Sequence, residues 1–206
     1  MTDTMTNDAD RPPQALLERR ARALREGILA ACLAVIEAGE EPTMRAVAAA
    51  SGISERTIYR YFASRELLYE ALMPLLGARA GAPVPAGVDG LPDYVRALFG
   101  TFEQNRALVS ALVTAPWAAP ALEHSRAANR AALLSALRRD RPFASEASLG
   151  AAASALRVLI SGAGWKHLSD CGLEPEEKVV QGQWLVRAVL RQLDEDAGRP
   201  SWKQDR

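Results

Sequence analysis

Apolar residues recur every three or four positions along most of this chain, the spacing that places them on one face of an α-helix. The pattern predicts helices over residues 15–38, 44–50, 55–62, 65–78, 120–139, 145–169 and 175–193, and a long helix from residue 91 that bends near Gln104-Asn105 and stops at Ala115-Pro116. A Gly/Pro/Ala-rich loop is predicted over 77–90, and no segment shows the strict alternation of a β-strand. The sequence therefore predicts an all-α fold.

Residues 43–68, TMRAVAAASGISERTIYRYFASRELL, are the most informative segment of the pattern. Thr43 and Ser54 can each cap a short helix, because a side-chain hydroxyl accepts from the free N–H groups of the first turn. Gly52 lies between the two helices and can adopt the left-handed conformation that a tight turn requires. The second helix keeps guanidinium, hydroxyl and phenol groups outside, which suit phosphates and base edges. We interpret the segment as a helix-turn-helix followed by the start of a third helix.

This segment resembles the DNA-binding signature of the TetR family of transcriptional regulators. The resemblance is carried by Ile53-Ser54, by the run TIYRYF at 57–62 and by SRELL at 64–68. Two positions differ: Arg56 stands where a glycine or small residue is common, and Arg65 stands where a lysine is common. Residues 1–14 are polar with two prolines and are predicted to be a disordered tail, and 198–206 is predicted to be a second tail. The resemblance implies a DNA-binding domain at 15–63 and a helical ligand-binding and dimerisation domain at 64–197.

The exposed chemistry and the family motif together assign DNA contacts to eight residues. These are Thr43, Arg45, Arg56, Thr57, Tyr59, Arg60, Tyr61 and Arg65. Base reading is expected from Arg45, Arg56 and Thr57, and phosphate clamping from Thr43, Tyr59, Tyr61 and Arg65. Four further arginines lie on the first helix, at positions 19, 20, 22 and 25. They either solvate a helix end or contribute phosphate contacts.

The charge distribution agrees with this assignment, although the net charge of the chain is zero. Residues 11–65 hold nine Arg and six Glu, a net charge of +3, while residues 66–206 hold sixteen basic and sixteen acidic residues. The positive excess therefore coincides with the helix-turn-helix, as a local footprint for DNA requires.

Polar and aromatic side chains on the otherwise aliphatic helices of the larger domain suggest a small-molecule pocket, since ligand sites are mostly apolar with a few polar groups. The candidates are Phe99, Phe102, Trp117, His124, Asn129, Arg157, Trp165 and His167. For each residue alone, core packing or surface exposure is the alternative interpretation.

The run WLVRAVL at 184–190 is apolar nearly all round, so its helix should be buried on more than one side. It could belong to an intramolecular core. We favour a two-fold four-helix interface built from residues 145–169 and 175–193 of each chain, with Val186 and Leu190 inside it.

The sequence lacks the elements of a catalytic or metal site. It has two histidines, and Cys32 and Cys171 are too few for a disulfide framework or a four-ligand zinc site. His167 and Cys171 have metal-ligand spacing, but two ligands do not make a site. We expect no enzyme activity, no metal and no cofactor, and a cytoplasmic protein without a membrane segment.

These features predict a homodimeric transcriptional regulator, a repressor that a small-molecule ligand releases from a palindromic operator in double-stranded DNA. Two alternatives stay open. One is a DNA-binding dimer controlled by a protein partner instead of a ligand, and the other is an α-helical enzyme or carrier.

Overall fold

The computed structural model describes residues 14–81 and 84–196, except for the side chains of Ala80, Ala121 and His124. This part of the chain forms α-helices and one short 3-10 turn, Val88–Gly90, without a strand. The helices are α1 (Gln14–Glu37), α2 (Met44–Ser51), α3 (Glu55–Tyr61), α4 (Arg65–Ala80), α5 (Leu91–Gln104), α6 (Arg106–Thr114), α7 (Ala118–Asp140), α8 (Glu146–Leu159), α9 (Gly162–Asp170) and α10 (Pro175–Glu195). The all-α prediction is confirmed. The predicted tails lie outside the described residues, apart from Gln14, which begins α1.

The predicted single helix over 145–169 is wrong, because the chain forms two helices there that meet at 57°. Ile160 leaves the helical conformation, and the Ser161 hydroxyl accepts a hydrogen bond of 3.1 Å from the N–H of Gly164. A Cβ on Gly164 would lie 2.6 Å from the carbonyl oxygens of Val158 and Leu159. The bend therefore depends on a serine cap followed by a residue without a side chain.

Two hydrophobic clusters form the interior. The first joins α1, α2, α3 and α4 and also includes Leu108 and Leu112 of α6 and Ala118 of α7. The second lies among α5, α7, α8, α9 and α10. Because α6 contributes Leu108 and Leu112 to the first cluster and Val109 to the second, it connects the helix-turn-helix side of the molecule to the larger helical part.

The core face of α10 packs closely on α5. A Cβ on Gly182 would lie 2.9 Å from side-chain carbons of Phe99 and Val95, so a glycine permits this approach of the two helices. Val186 is fully buried and Leu190 is 8% exposed in the same cluster. Our expectation that these two residues lie in a subunit interface is therefore wrong, because they already fill the interior of one chain.

The other side of α10 and one position on α8 carry large apolar side chains that face solvent. Val180 and Trp184 on α10 are 58% and 59% exposed, and Val158 on α8 is 51% exposed. The helix is thus apolar on two sides, as the sequence indicated, but a different set of residues is left uncovered by the single chain.

A buried ion pair links α10 to α5. The Lys178 ammonium is 1% exposed and pairs with the Glu103 carboxylate. The indole N–H of Trp165 donates to the same carboxylate at 2.8 Å, and Arg106 donates to it at 2.6 Å. Lys178 also donates to the Ser169 hydroxyl at 3.0 Å. Four helices therefore meet at one polar cluster inside an apolar environment.

The two cysteines have opposite environments. Cys32 is fully buried on α1, and burial raises the pKa of its thiol to about 12, against a smaller opposing effect of a backbone hydrogen bond. Cys171, at the end of α9, is exposed. Within residues 14–81 and 84–196, no single helix is both long and apolar enough to span a membrane; α8 and α9 together reach the length and hydropathy but are bent against each other.

Candidate nucleic-acid interface

Local hydrogen bonds define the helix-turn-helix at residues 43–62. The Thr43 hydroxyl accepts from the N–H of Ala46 at 3.1 Å and so begins α2. Gly52 ends that helix with φ of 69°, and its N–H donates to the carbonyl of Ala48 at 3.0 Å. The Ser54 hydroxyl then accepts from the N–H of Thr57 at 3.2 Å and begins α3. The caps and the left-handed glycine inferred from sequence are present at the predicted positions.

The inner face of this unit is apolar and dry. Val47 and Ile58 are fully buried, and Met44 and Phe62 are 5% and 2% exposed. These side chains fix α2 and α3 against α1, so the remaining positions of the short α3 helix are the ones available to a partner.

The structure places the eight predicted DNA-contacting residues on α2, on α3 and at the helix starts beside them. Arg45, Arg56, Tyr59 and Arg60 are exposed, with Tyr59 at 49%. Thr43, Thr57 and Tyr61 are half-buried, and Arg65 is exposed at the first position of α4. Their assignment to DNA contacts stays a prediction.

Four of these side chains contact one another or a neighbouring side chain. The Thr57 hydroxyl lies 2.9 Å from the Ser54 hydroxyl, and the Arg60 guanidinium lies 5.6 Å from the ring centroid of Tyr61. Arg65 donates to the Glu41 carboxylate at 2.8 Å and lies 5.8 Å from the ring centroid of Tyr69. Arg65 is therefore oriented before DNA binds, in part by Glu41, which lies 24 residues away in sequence. The motif alone does not show this contact.

Arginine pairing differs sharply between the two ends of the described chain. The seven arginines between residues 14 and 60 have no carboxylate within ion-pair distance among the described residues; they are Arg19, Arg20, Arg22, Arg25, Arg45, Arg56 and Arg60. Of the twelve from Arg65 to Arg191, nine pair with Asp or Glu. Arg25 also lies 5.2 Å from the ring centroid of Phe62, which brings one α1 guanidinium to the end of α3.

The predicted ligand-contacting residues are not brought together around one cavity. Phe99, Phe102 and Trp165 pack in the second core cluster, with ring centroids 6.2 Å apart for the first pair and 5.9 Å for Phe102 and Trp165. Asn129 and His167 are exposed, Arg157 is half-buried, and the side chain of His124 lies outside the described part. For the three core aromatics the structure favours the packing interpretation.

Trp117 is the predicted ligand residue that borders a cavity. This cleft has a volume of about 570 Å³ and separates the end of α1 and its following loop, residues 37–41, from α6. The sequence analysis missed the cleft residues other than Trp117. The available signal was the spacing of small side chains one turn apart, Ala107 and Ala111 on α6 and Ala115 at its C-terminal end.

His167 and Cys171 do approach each other, with 3.9 Å between Nε2 and Sγ. In the part of the chain that the structure describes, no group of three or more His, Cys, Asp or Glu side chains could hold a metal ion.

Comparison with known proteins supports the interpretation of the helix-turn-helix. Residues 28–72 match the family model of the bacterial regulatory proteins of the tetR family. No curated protein matches the chain significantly. A TetR-like transcriptional regulator from Rhodococcus sp. RHA1 shares the fold at a TM-score of 0.59, with 20% identity over 88% of this chain and 99% of its own. A TetR transcriptional regulator from the same organism aligns at a TM-score of 0.50, with 19% identity over 86% of this chain and 99% of its own.

The N-terminal helix-turn-helix and the larger helical part that follows it define a helix-turn-helix DNA-binding regulator. The matched segment spans the second half of α1 through the middle of α4, which is the region that the first core cluster holds together. Residues 28–72 therefore carry a DNA-binding domain of the tetR family of bacterial regulatory proteins.

Proposed function

We propose that this regulator is a homodimeric repressor that binds a palindromic operator and is released by a small-molecule ligand. The observation that carries the DNA-binding part is the distribution of unpaired arginines. Guanidinium groups without a carboxylate partner are free to contact phosphates, and contacts of this kind dominate the affinity for DNA. The arginines between residues 14 and 60 are in that state, in the N-terminal part of the chain that contains the helix-turn-helix.

Within this surface the side chains have different tasks. Arg56 lies in the first turn of α3, the part of a recognition helix that faces base edges. Arg45 and Thr57 are the other base-reading candidates. Thr43, Tyr59, Tyr61 and Arg65 contact phosphates, and the Glu41 pair orients Arg65 before DNA arrives.

Dimerisation uses α8 and α10. Val158, Val180 and Trp184 are large apolar side chains that one chain leaves in solvent, and covering them with the same surface of a second chain removes them from water. The two-fold symmetry of such a dimer would present two recognition helices to successive turns of one DNA groove.

A regulator controlled by a protein partner is the second candidate. The packing of Phe99, Phe102 and Trp165 favours it, because these aromatics fill the second core cluster where a buried ligand would otherwise lie.

Selection of bound fragments from a random DNA pool, followed by footprinting, tests the proposal. We expect a two-fold palindrome with half-sites about 10 bp apart or a multiple of that spacing. Arg56→Ala combined with Arg60→Ala should abolish selection, while Arg96→Ala, on α5, should not. A single asymmetric half-site would contradict the symmetric dimer.

A further inference from the structure

The cleft between α1 and α6 has the dimensions of a small-molecule site. Its volume of about 570 Å³ falls within the range of roughly 300–1,000 Å³ typical of ligand pockets. Ala107 and Ala111 on α6 and Ala115 at its end leave space, and the loop at residues 38–41 forms the opposite wall. Trp117 adds an aromatic surface, and its ring lies 5.3 Å from that of Tyr69.

The charge around this cleft is negative, in contrast to the helix-turn-helix surface. Glu37, Glu40 and Glu41 line it, against the single ammonium of Lys166. Asp170 holds that ammonium at 2.6 Å, which offsets its charge.

Arginines partner two of the three carboxylates. Arg79 pairs with Glu37 at 2.7 Å, and Arg65 pairs with Glu41 at 2.8 Å. The Glu40 carboxylate has no ion-pair or hydrogen-bond partner among the described residues, so it is free to receive one.

We propose that the cleft binds an organic cation of drug-like size, with its charge beside Glu40 and its apolar part against Trp117 and the alanines of α6. A cation gains from the carboxylate and from the face of the indole ring, whereas an anion is repelled by the glutamates. The site lies outside the second core cluster, so it does not require Phe99, Phe102 or Trp165 to move.

Such a ligand would act on the DNA-binding unit through the loop that forms the cleft wall. A cation beside Glu40 competes with Arg65 for the neighbouring Glu41 carboxylate, and Thr43, the N-cap of α2, follows two residues later. This regulatory step rests on the proposed DNA-binding function, whereas binding in the cleft does not.

Calorimetric titration of the full chain without DNA tests the binding step. The probe is (2-naphthylmethyl)trimethylammonium, and the control is 2-naphthylacetate, an anion of similar size. We expect the cation to bind and the anion not to bind. Glu40→Gln should weaken the cation roughly threefold to fivefold, as expected for an exposed charge pair. Glu26→Gln, on the exposed surface of α1 outside the cleft, should leave the affinity unchanged.

A second variant fills the site. Ala107 is exposed and lines the cleft, so Ala107→Phe should abolish binding of the cation and shift the melting temperature by less than about 2 °C. Failure of the wild-type protein to bind the cation would overturn the proposal. Binding that both Glu40→Gln and Ala107→Phe leave unchanged would also overturn it. A failure of the DNA selection would leave this titration interpretable, because it contains no DNA.

Discussion

Neighbouring side chains on α3 should differ in what they contribute to DNA affinity. Arg56 is exposed in the first turn and can make a bidentate contact to guanine, a contact worth about 1–3 kcal/mol against a wrong base. Tyr59 is one turn further on, and we propose that its phenol contacts a phosphate. Arg56→Ala should therefore relax sequence preference, while Tyr59→Phe should weaken all sequences alike by about 1 kcal/mol.

Affinities for the operator and for single-base variants at fixed salt concentration measure the difference. Both side chains are exposed, so the melting temperatures of the two variants should match that of the wild type and serve as the control. If Arg56→Ala weakens binding to every sequence equally, Arg56 contacts a phosphate and does not read a base.

The Glu103 carboxylate, paired with a buried ammonium, should make stability depend on acid pH. Burial raises its pKa, but hydrogen bonds from Lys178, Trp165 and Arg106 outweigh that effect, and the pKa lies below the usual value of 4.5. A pKa lowered in the folded state gives stability that is present above the unfolded value and lost as the pH falls below it. The wild type should therefore lose free energy of unfolding as the pH falls below 4.5, the usual pKa of Glu.

Glu103→Gln should remove this part of the acid dependence and cost about 3–5 kcal/mol at pH 7, because it leaves the Lys178 ammonium buried without a carboxylate. Urea unfolding at pH 7 and pH 3.5 provides the measurement. In the double variant with Lys178→Met, much of the loss at pH 7 should be recovered, since no unpaired charge is then buried. A double variant as unstable as Glu103→Gln would show that the ion pair is not the cause.

Sequence could predict the exposed chemistry of α3 because a helix start, a cap and a tight turn are local features. It could not predict that Arg65 pairs with Glu41 or that Lys178 reaches Glu103, because those partners are distant in sequence. Aromatic residues at helical spacing fit a core as well as a pocket, so the interior position of Phe99 required the packing of α5 against α10.

At the scale of helices, glycines mark the positions where backbones approach. Gly182→Ala should cost about 1–3 kcal/mol, because the added methyl would lie 2.9 Å from Phe99 and Val95 in a packed core. Gly100 is a matched control inside α5. A Cβ added there would have no packed neighbour within 4 Å, so Gly100→Ala should raise the free energy of unfolding by about 0.5–1 kcal/mol. Urea midpoints compare the two. Equal stabilisation by both substitutions would mean that α10 and α5 are not in close contact.

The bend between α8 and α9 shows why one predicted helix became two. Apolar positions continue at helical spacing through residues 145–169, so periodicity alone gives no sign of a break. Ser161 and Gly164 are both compatible with the interior of a helix at a modest cost. In the folded chain the Ser161 hydroxyl caps α9, and the missing side chain of Gly164 leaves room for the carbonyl oxygens at the end of α8. A Cβ on Gly162 would meet Val109 and Val113 of α6 at 3.1 Å, which indicates how near those helices lie.

At the scale of the whole molecule, the proposed dimer should depend on the exposed side of α10. Trp184→Glu would place a charge in a dry interface, and the dimer should dissociate at micromolar concentration. Because Trp184 is 59% exposed in the single chain, the subunit should remain folded. Sedimentation velocity and circular dichroism measure the two properties.

Phe143→Glu is the control, since Phe143 is 92% exposed in the connection between α7 and α8 and lies outside the proposed interface. A Trp184→Glu protein that stays dimeric would place the interface elsewhere. The sequence predicted an extra apolar side on α10, but the division between Val186 inside and Trp184 outside needed the orientation of the helix in the assembled fold.

The contrast between the two cysteines gives this protein a built-in attachment point for spectroscopy. Thiol reagents require an accessible thiolate, which burial and a raised pKa deny to Cys32. A nitroxide spin label would therefore attach at Cys171 alone, once per chain and without mutagenesis. In a two-fold assembly the labels form a single pair, and the distance between them would report any change in how the two subunits are oriented when operator or effector is added.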